Sequence, residues 1–538
     1  MSIRDLCFIS LCMLGFAAIV GTLLPRERID SQREQPRVLG DADSFASTLQ
    51  RVNKEFAESW NEAQVKPAAA ADSLTLIRRL SLGLTGILPS LEELRAVDQI
   101  PAERRIDWWL DRILQDRRTS DYLAERLARS YVGTEEGPFL IFRRRRFVTW
   151  LSDQLYENRA YNEIVADLIS DTGLWTDSPA VNFLTVTTDV NGDEQPDEKR
   201  LAARTARAFL GIRLDCVQCH DDHLQGKWLQ QDFHQLAAFF AGAKSSPLGI
   251  QDVETQYEYQ YLGGEESVEV PTRVPFLKTL DVKHEVARVQ LANWVTHPEN
   301  VAFRRALVNR LWSLMMGKPL IEPIDDIPLN GPLPAGLEAL SIDFAENNFN
   351  LRRLIRLMAS TNVFQLDSRT EGGATLEQEQ HWAVFPLTRL RPEQVAGSIQ
   401  QASSLTTIDA GSHVLIRLAR FQEGLDFVER YGDRGEDEYG ERAGTIPQRL
   451  LMMNGKLVGE RTKEDVFNNA VSRIAAFAEN DDVAIESAYL CVLTRRPSPS
   501  ESDFFRERLD GKKGRPRQRE LEDLYWSLIN STEFSWNH

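Results

Sequence analysis

The spacing of apolar residues constrains the fold of this chain more than any other feature of its sequence. From Asp72 onward, apolar residues recur every three to four positions, as Ile106, Trp109 and Ile113 do. This spacing places them on one face of an α-helix, and it continues with one interruption to the C-terminus. The sequence therefore predicts a mostly α-helical fold.

Two helix starts carry capping boxes, in which a serine hydroxyl and a glutamate carboxylate each accept a hydrogen bond from an otherwise unsatisfied backbone amide. Ser90 precedes Glu93 in the first, and Ser498 precedes Glu501 in the second. Pro499 follows Ser498 and suits the first position of a helix. We expect helices to begin directly after Ser90 and Ser498.

The helical pattern is interrupted between about residues 244 and 281. There Tyr257, Tyr259 and Tyr261 alternate with polar residues, which is typical of a β-strand, and valines follow a Gly-Gly pair. A chain of 538 residues is also too long for a single core. We predict these successive units: a polar stalk at 29–70 with one helix around 45–60, an N-terminal helical domain at 71–243, a β-containing connector at 244–281 and a C-terminal helical domain at 282–538.

The N-terminal segment, residues 1–28, predicts the compartment. Its apolar run from Leu6 to Leu24 approaches the roughly 20 residues that span a bilayer as a helix. A signal anchor fits this length, whereas a cleaved signal peptide usually has a shorter apolar region and an Ala-x-Ala-like site; both remain open. We expect single-pass membrane association, with the bulk of the chain in the periplasm or an equivalent exported space.

Charge and cysteine usage narrow the function classes. The formal net charge of -17 argues against a nucleic-acid partner, because such binders are normally basic. Cys7 and Cys12 lie in the apolar N-terminal run and Cys491 stands alone, so only Cys216 and Cys219 form a closely spaced pair. This is not the pattern of a disulfide framework.

The chemistry of the chain concentrates in the motif Cys216-Val217-Gln218-Cys219-His220, which a predicted helix over 201–210 enters directly. Cys-x-x-Cys-His is the attachment pattern of c-type haem. Two thiols three residues apart suit the two vinyl groups on one edge of the porphyrin, and His220 would then present its imidazole to the iron. The motif predicts haem c bound by Cys216, Cys219 and His220.

Two alternatives stay open at this motif. Zinc prefers nitrogen and sulfur ligands, which Cys216, Cys219 and His220 could supply together with His223 or His234. In the other alternative the cysteines are structural, either as a local disulfide or as a pair of buried thiols.

A sixth iron ligand has several candidates. His234 lies on a predicted helix downstream of the motif, and the methionines are Met315, Met316, Met452 and Met453. Paired methionines on apolar faces more often fill a core. A five-coordinate iron would instead favour ligand or peroxide chemistry.

Elsewhere the sequence names no catalytic residue. Asn309, Arg310, Asp325 and Asp326 could form a polar cluster with acid–base potential, but helix capping and ion pairing explain them equally well. Nucleophile elbow, phosphate loop, zinc-protease and Rossmann motifs are absent, so no reaction is predicted.

The chain resembles planctomycete-type exported proteins that carry a pair of domains of unknown function, often associated with cytochrome c domains. Residues 76–90, 205–220 and 227–240 resemble the first domain, and residues 291–326, 390–394, 447–454 and 489–497 resemble the second. The resemblance implies export, helical architecture and a cytochrome-like assignment. One departure is the run Cys219-His220-Asp221-Asp222-His223, which has one residue more than the family's usual Cys-His-Asp-His.

Together these observations predict electron transfer, or redox support of an exported pathway. The partner would be an exported redox protein or, as the family's setting implies, a polysaccharide-active enzyme. The main alternative is a helical scaffold or binding protein whose Cys/His motif holds zinc or is structural. A haem- or metal-dependent oxidoreductase acting on a small substrate is a further one.

Overall fold

The structure of the protein is a computed structural model that describes residues 42–134, 144–188, 192–222, 228–261, 265–408, 453, 455–459, 462 and 469–538. Within these residues the chain is mostly helical, which confirms the predicted class. The described strands form three two-stranded antiparallel sheets.

The α-helices that precede the strands are α1 (Ala42–Glu62), α2 (Ser73–Thr85), α3 (Leu91–Asp98), α4 (Arg105–Ile113), α5 (Arg117–Val132), α6 (Arg144–Tyr156), α7 (Tyr161–Ser170), α8 (Asn182–Thr185), α9 (Glu198–Thr205) and α10 (Gln230–Ala237). A π-helical turn, Ala206–Leu210, extends α9, and a 3₁₀ turn, Asp215–Gln218, follows it.

The later α-helices are α11 (Ala287–Val295), α12 (Val301–Met316), α13 (Leu337–Glu346), α14 (Leu351–Ser360), α15 (Asn362–Gln365), α16 (Leu376–Gln380), α17 (Pro392–Ala402), α18 (Lys456–Gly459), α19 (Ala470–Phe477), α20 (Asp481–Leu493), α21 (Pro499–Leu509) and α22 (Arg515–Ile529). They match the helical periodicity predicted from about residue 284 onward.

The strands pair in short hairpins, except for the last pair. The pairs are β1 (Ala243–Ser246) with β2 (Gly249–Asp252), β3 (Glu258–Tyr259) with β4 (Val268–Glu269), and β5 (Thr388–Arg389) with β6 (Trp536–Asn537). The β3–β4 pair confirms the strands predicted from the tyrosine alternation. The β5–β6 pair joins segments that are far apart in sequence.

Both predicted capping boxes are present. Ser90 accepts from the amide of Glu93 at 3.1 Å, while the Glu93 carboxylate accepts from the amide of Ser90 at 2.9 Å. Ser498 and Glu501 form the same reciprocal pair at the start of α21. The helices begin where these local signals predict, because each box satisfies amides that a helix start leaves free.

Two hydrophobic cores hold the described residues together. The first runs from Val52 on α1 to Phe385 and includes residues on both sides of the strand region. The second is built mostly from residues 390–534. Helix α1 belongs to the first core, where Phe56 is 1% exposed and stacks on Trp312.

Helix α2 lies between the two cores. Leu80 and Leu84 face the first core, whereas Leu82 belongs to the second. Arg78 on this helix is buried and donates to the backbone carbonyls of Phe534 and Trp536, near the C-terminal strand. One helix therefore fixes the C-terminal segment against the first core.

No helix among the described residues is both long and apolar enough to cross a membrane. The segment predicted as a signal anchor or signal peptide, residues 1–28, lies outside the described residues.

Candidate functional site

The cysteine motif lies on a short turn, not on the helix before it. Gly211 adopts a left-handed conformation, φ 61°, and ends the helical run at Leu210. The expectation that this helix enters the motif directly was wrong, because glycine readily takes the backbone conformation that terminates a helix. The chain then forms the 3₁₀ turn Asp215–Gln218.

This turn presents both thiols to solvent. Cys216 and Cys219 are exposed and are not joined in a disulfide. Val217, between them, is only 3% exposed and packs into the first core. A 3₁₀ turn has three residues per turn and a rise of about 2 Å per residue, so the two cysteines lie about one turn apart. They are not the buried thiol pair of the structural alternative.

His220 follows the turn and is exposed. Its Nδ1 lies 2.8 Å from the carbonyl oxygen of Asp221. A carbonyl can only accept, so Nδ1 carries a proton, and in the neutral imidazole the lone pair then lies on Nε2. This is the tautomer of a histidine that binds metal through Nε2 while its other nitrogen donates to the backbone.

His234 lies beneath the turn, fully buried on α10. Its Nε2 donates to the carbonyl oxygen of Gln218 at 3.1 Å, and its Nδ1 accepts from the hydroxyl of Tyr257 at 3.0 Å. The ring of Tyr259 stacks on it with centroids 3.5 Å apart. In this structure both nitrogens of His234 form hydrogen bonds, one of them to the backbone of the motif.

The surroundings of His234 keep it neutral. Burial lowers its pKa, and the charge of Lys199 acts in the same direction, while the hydrogen bond to Gln218 opposes them. Burial also raises the pKa of Tyr257, as do nearby carboxylates such as Glu198. Tyr257 therefore keeps its proton and donates a hydrogen bond to Nδ1 of His234.

Gln230 supplies a second contact to the same carbonyl. Its side-chain Nε2 donates to the carbonyl oxygen of Gln218 at 3.0 Å and to the hydroxyl of Tyr259 at 3.2 Å. Its backbone amide donates to the carboxylate of Asp221 at 2.8 Å. The first residue of α10 thus contacts the chain on both sides of Cys219 and His220.

Asp325, from the segment after α12, is an ion-pair partner beside the motif. Its carboxylate accepts from Arg213 Nε at 2.8 Å and lies 3.5 Å from Arg207. Arg207 also pairs with Asp215, the residue before Cys216. The hydrogen bond to Asp325 raises the pKa of Arg213. Of the predicted polar cluster, Asp325 is held by ion pairs, whereas Asn309 donates to the carbonyl of Ile321 and Arg310 to the carbonyl of Ala208.

The other predicted ligands are not brought to the motif by any contact that the structure describes. Met315 and Met316 are buried in the first core, and Met453 is exposed. His223 and Met452 lie outside the described residues. Within the described part of the chain, no group of three His, Cys, Asp or Glu side chains is placed to hold a metal ion.

Sequence reasoning missed the residues that support the motif. Gln230, Tyr257 and Tyr259 lie 12 or more residues from Gln218 along the chain, and their contacts form only through the fold. The tyrosine alternation predicted a strand correctly. Residues two apart on a strand share a face, so it also indicated that Tyr257 and Tyr259 point to the same side.

The fold and the site define a class: a mostly helical protein with a Cys-x-x-Cys-His turn exposed at its surface and supported from below by a buried histidine. Two family models match this chain. PSCyt2, described as a protein of unknown function (DUF1549), matches residues 51–245, and PSD1, a protein of unknown function (DUF1553), matches residues 287–439. The chain therefore belongs to the planctomycete-type proteins that carry this pair of domains of unknown function, as the resemblance predicted.

The cysteine turn and α10 both fall within the PSCyt2 match, and Asp325 falls within the PSD1 match. No curated protein and no solved structure matches the chain.

Proposed function

We propose that the protein is an exported, membrane-tethered carrier of haem c, with Cys216 and Cys219 as the attachment residues and His220 as the axial ligand. The observation that carries this proposal is the tautomer of His220 beside an exposed dithiol turn. Nδ1 donates to the Asp221 carbonyl, so in the neutral imidazole the lone pair lies on Nε2, the atom that would bind the iron. The donor set present therefore fits haem c.

Each cysteine would form its link by addition, without a change of oxidation state. The Sγ–H bond would add across a vinyl double bond of the haem, with Sγ on one carbon and the hydrogen on the other. Both thiols must be reduced and accessible for this step, and both are exposed and unpaired in the structure. Bound haem supplies one-electron transfer between ferrous and ferric iron.

The charges beside the turn fit the same role. Arg207 and Arg213 are each about one-third exposed while they pair with Asp215 and Asp325. Guanidinium groups pair well with carboxylates, so these arginines would hold the haem propionates beside the turn.

The setting of the protein is part of the proposal. The planctomycete-type domain pair supports export, and the apolar run at residues 6–24 would supply the membrane tether. The proposal keeps helical domains at 71–243 and 282–538 around a connector at 244–281. The two family matches lie on either side of this connector, and the first core includes residues from both. The partner would be an exported redox protein or a polysaccharide-active enzyme, and the net charge of -17 favours a cationic partner surface.

A pyridine haemochrome spectrum tests the proposal. The full chain is expressed in a host that matures c-type cytochromes and is compared with the Cys216→Ala/Cys219→Ala double variant. Cys491→Ala is the matched control, because Cys491 is buried in the second core and not in the motif. We expect a c-type α band in the wild type and the control and none in the double variant.

The absence of a band in all three proteins, in a host that loads a control cytochrome, would overturn the haem proposal. Zinc analysis of the same samples then separates the alternatives. Stoichiometric zinc that is lost in the double variant would favour a zinc-holding scaffold or binding protein. Absence of both haem and zinc would leave the cysteines with a structural role.

A further inference from the structure

The carbonyl of Gln218 lies in the middle of the cysteine pair and accepts two side-chain hydrogen bonds. His234 Nε2 donates from 3.1 Å and Gln230 Nε2 from 3.0 Å, both from α10. Both donors are buried, whereas the cysteines on either side of Gln218 are exposed. The inner side of the turn is therefore fixed to a helix while its thiols face solvent.

Each donor is itself held in place. The hydroxyl of Tyr257 donates to Nδ1 of His234, which leaves the ring proton on Nε2, and Tyr259 stacks on the ring. The same Tyr259 accepts from Gln230 through its hydroxyl. Donors fixed in this way lose little conformational entropy when they bind the carbonyl.

A turn of this kind needs such support. A 3₁₀ turn has poorer hydrogen-bond geometry than an α-helix and is stable only in short pieces. The motif follows the left-handed Gly211 and the loop to Leu214, so it does not continue a helix that could hold it. The contacts to Gln218 supply a restraint that the turn lacks on its own.

We propose that His234 and Gln230 are positioning residues of the cysteine site, which fix the Gln218 carbonyl and thereby set the spacing of Cys216 and Cys219. His220, the proposed ligand, follows Cys219 and is exposed. The inference deepens the proposed function and rests on it for the haem, but the spacing of the thiols is independent of any cofactor.

The reduction potential of the Cys216–Cys219 disulfide measures this spacing directly. Residues one 3₁₀ turn apart lie at about 6 Å, within the Cα separation that a disulfide accepts. In a glutathione buffer, two glutathione thiols reduce the disulfide to two cysteine thiols and become one glutathione disulfide. A support that holds the thiols together raises their effective concentration and makes the disulfide harder to reduce.

The measurement uses the full chain without haem, with Cys7 and Cys12 changed to serine so that neither competes for the pair. His234→Phe keeps an aromatic ring against Tyr259 but removes the donor, and Gln230→Leu removes the second donor. We expect each change to weaken disulfide formation about fivefold, which is the effect of one hydrogen bond, and to raise the potential by about 20 mV.

His234→Gln is the rescue variant, because its side-chain amide can donate to the carbonyl of Gln218 as Nε2 does. We expect it to restore most of the wild-type potential. His381→Phe is the matched control: His381 bonds to the hydroxyl of Ser59 through its ring, and this contact lies outside the motif. Its potential should equal that of the wild type.

Unchanged potentials in both His234→Phe and Gln230→Leu, with circular dichroism that matches the wild type, would overturn the inference. If His234→Phe misfolds, Gln230→Leu alone decides the question: a raised potential supports the inference and an unchanged potential overturns it.

A haem-loaded sample adds a second readout. Because His234 is a support and not a ligand, His234→Phe should lower the ratio of haem to protein without changing the positions of the Soret and α bands. A change to a high-spin spectrum would show that His234 ligates iron and would also overturn the inference. Failure of the wild type to bind haem would refute the proposed function, while the potentials would still test the support.

Discussion

The ion pair at the start of α17 gives a quantitative test of the structure, through the substitution Glu393→Gln. Glu393 Oε1 accepts from Nη1 of Arg126 at 2.8 Å and lies 3.8 Å from the guanidinium of Arg129. The side chain of Arg126 is completely buried. Burial by itself would raise the pKa of Glu393, but the charges of Arg126, Arg129 and Arg391 outweigh it and hold the pKa at about 2.

The expected effect follows from this pKa. One pKa unit corresponds to about 1.4 kcal/mol, so a change from the usual value of about 4.5 to about 2 stabilises the folded chain by roughly 3 kcal/mol. Loss of one partner of a buried ion pair, about 3–5 kcal/mol, gives a similar figure. Because the folded pKa is the lower one, this stabilisation is complete above about pH 5.5 and is lost as the pH falls toward 2.

Urea denaturation between pH 7 and pH 3.5, followed by tryptophan fluorescence, measures the difference in free energy of unfolding between the wild type and Glu393→Gln. Trp109, Trp294 and Trp312 are buried and report on unfolding of the first core. We expect a difference of roughly 3 kcal/mol at pH 7 that narrows to roughly 2 kcal/mol at pH 3.5.

The control is Glu163→Gln, which breaks the exposed pair with Arg159 and should change stability by at most about 0.5 kcal/mol. A difference for Glu393→Gln that does not vary with pH, or that stays below about 1 kcal/mol at pH 7, would refute the reasoning.

Three further predictions concern other parts of the structure. Asp343→Asn should lower the free energy of unfolding by about 3–5 kcal/mol, because Arg353, which is 2% exposed, loses the carboxylate that balances its charge. The double variant Asp343→Leu/Arg353→Met removes both charges and should be less destabilising. A double variant as unstable as Asp343→Asn in urea would argue against this. Gly211→Ala should lower the free energy of unfolding by about 1–3 kcal/mol more than Gly511→Ala. Both glycines have a left-handed φ, but only a Cβ at position 211 would meet a neighbouring side chain, at 3.0 Å. Equal urea midpoints for the two variants would contradict this prediction. Burial raises the pKa of Cys491 to about 11, so at pH 8 its alkylation, followed by mass spectrometry, should be at least about tenfold slower than that of the motif cysteines, and comparable rates would show that it is accessible.

Local sequence signals predicted the helices because the forces that form them act between near neighbours. The capping boxes at Ser90 and Ser498 each involve residues three apart, and apolar spacing is fixed by the period of the helix. The Cys-x-x-Cys-His motif is local in the same sense. The predicted helix over 201–210 ends where the structure ends it, before Gly211, but the separate turn that follows depends on the left-handed conformation of this glycine.

The surroundings of the motif could not be predicted in this way. Tyr257 reaches His234 across 23 residues, and Asp325 reaches Arg213 across 112. The sequence separation of these two pairs does not mark them as contacts, because contacts between residues so far apart depend on how whole helices pack. The same applies to Phe56 on α1, which stacks on Trp312 although its sequence context is polar.

The shared core gives a physical reason why the two family regions occur together. Arg310 on α12 donates to the carbonyl of Ala208, and the amide of Ile327 donates to the carbonyl of Gly211 at 2.7 Å, so the PSD1 region bonds to the backbone that leads into the cysteine turn. Gly83 on α2 has no side chain, and a Cβ there would lie 3.3 Å from the backbone of Met315 on α12. A PSCyt2 region on its own would expose the apolar surface that this packing buries, which costs a free energy of about 25 cal/mol for each Å² exposed. It would also lose the hydrogen bond to Gly211 and the ion pair to Arg213 in the loop before Cys216, so the second region contributes to the geometry of the cysteine site.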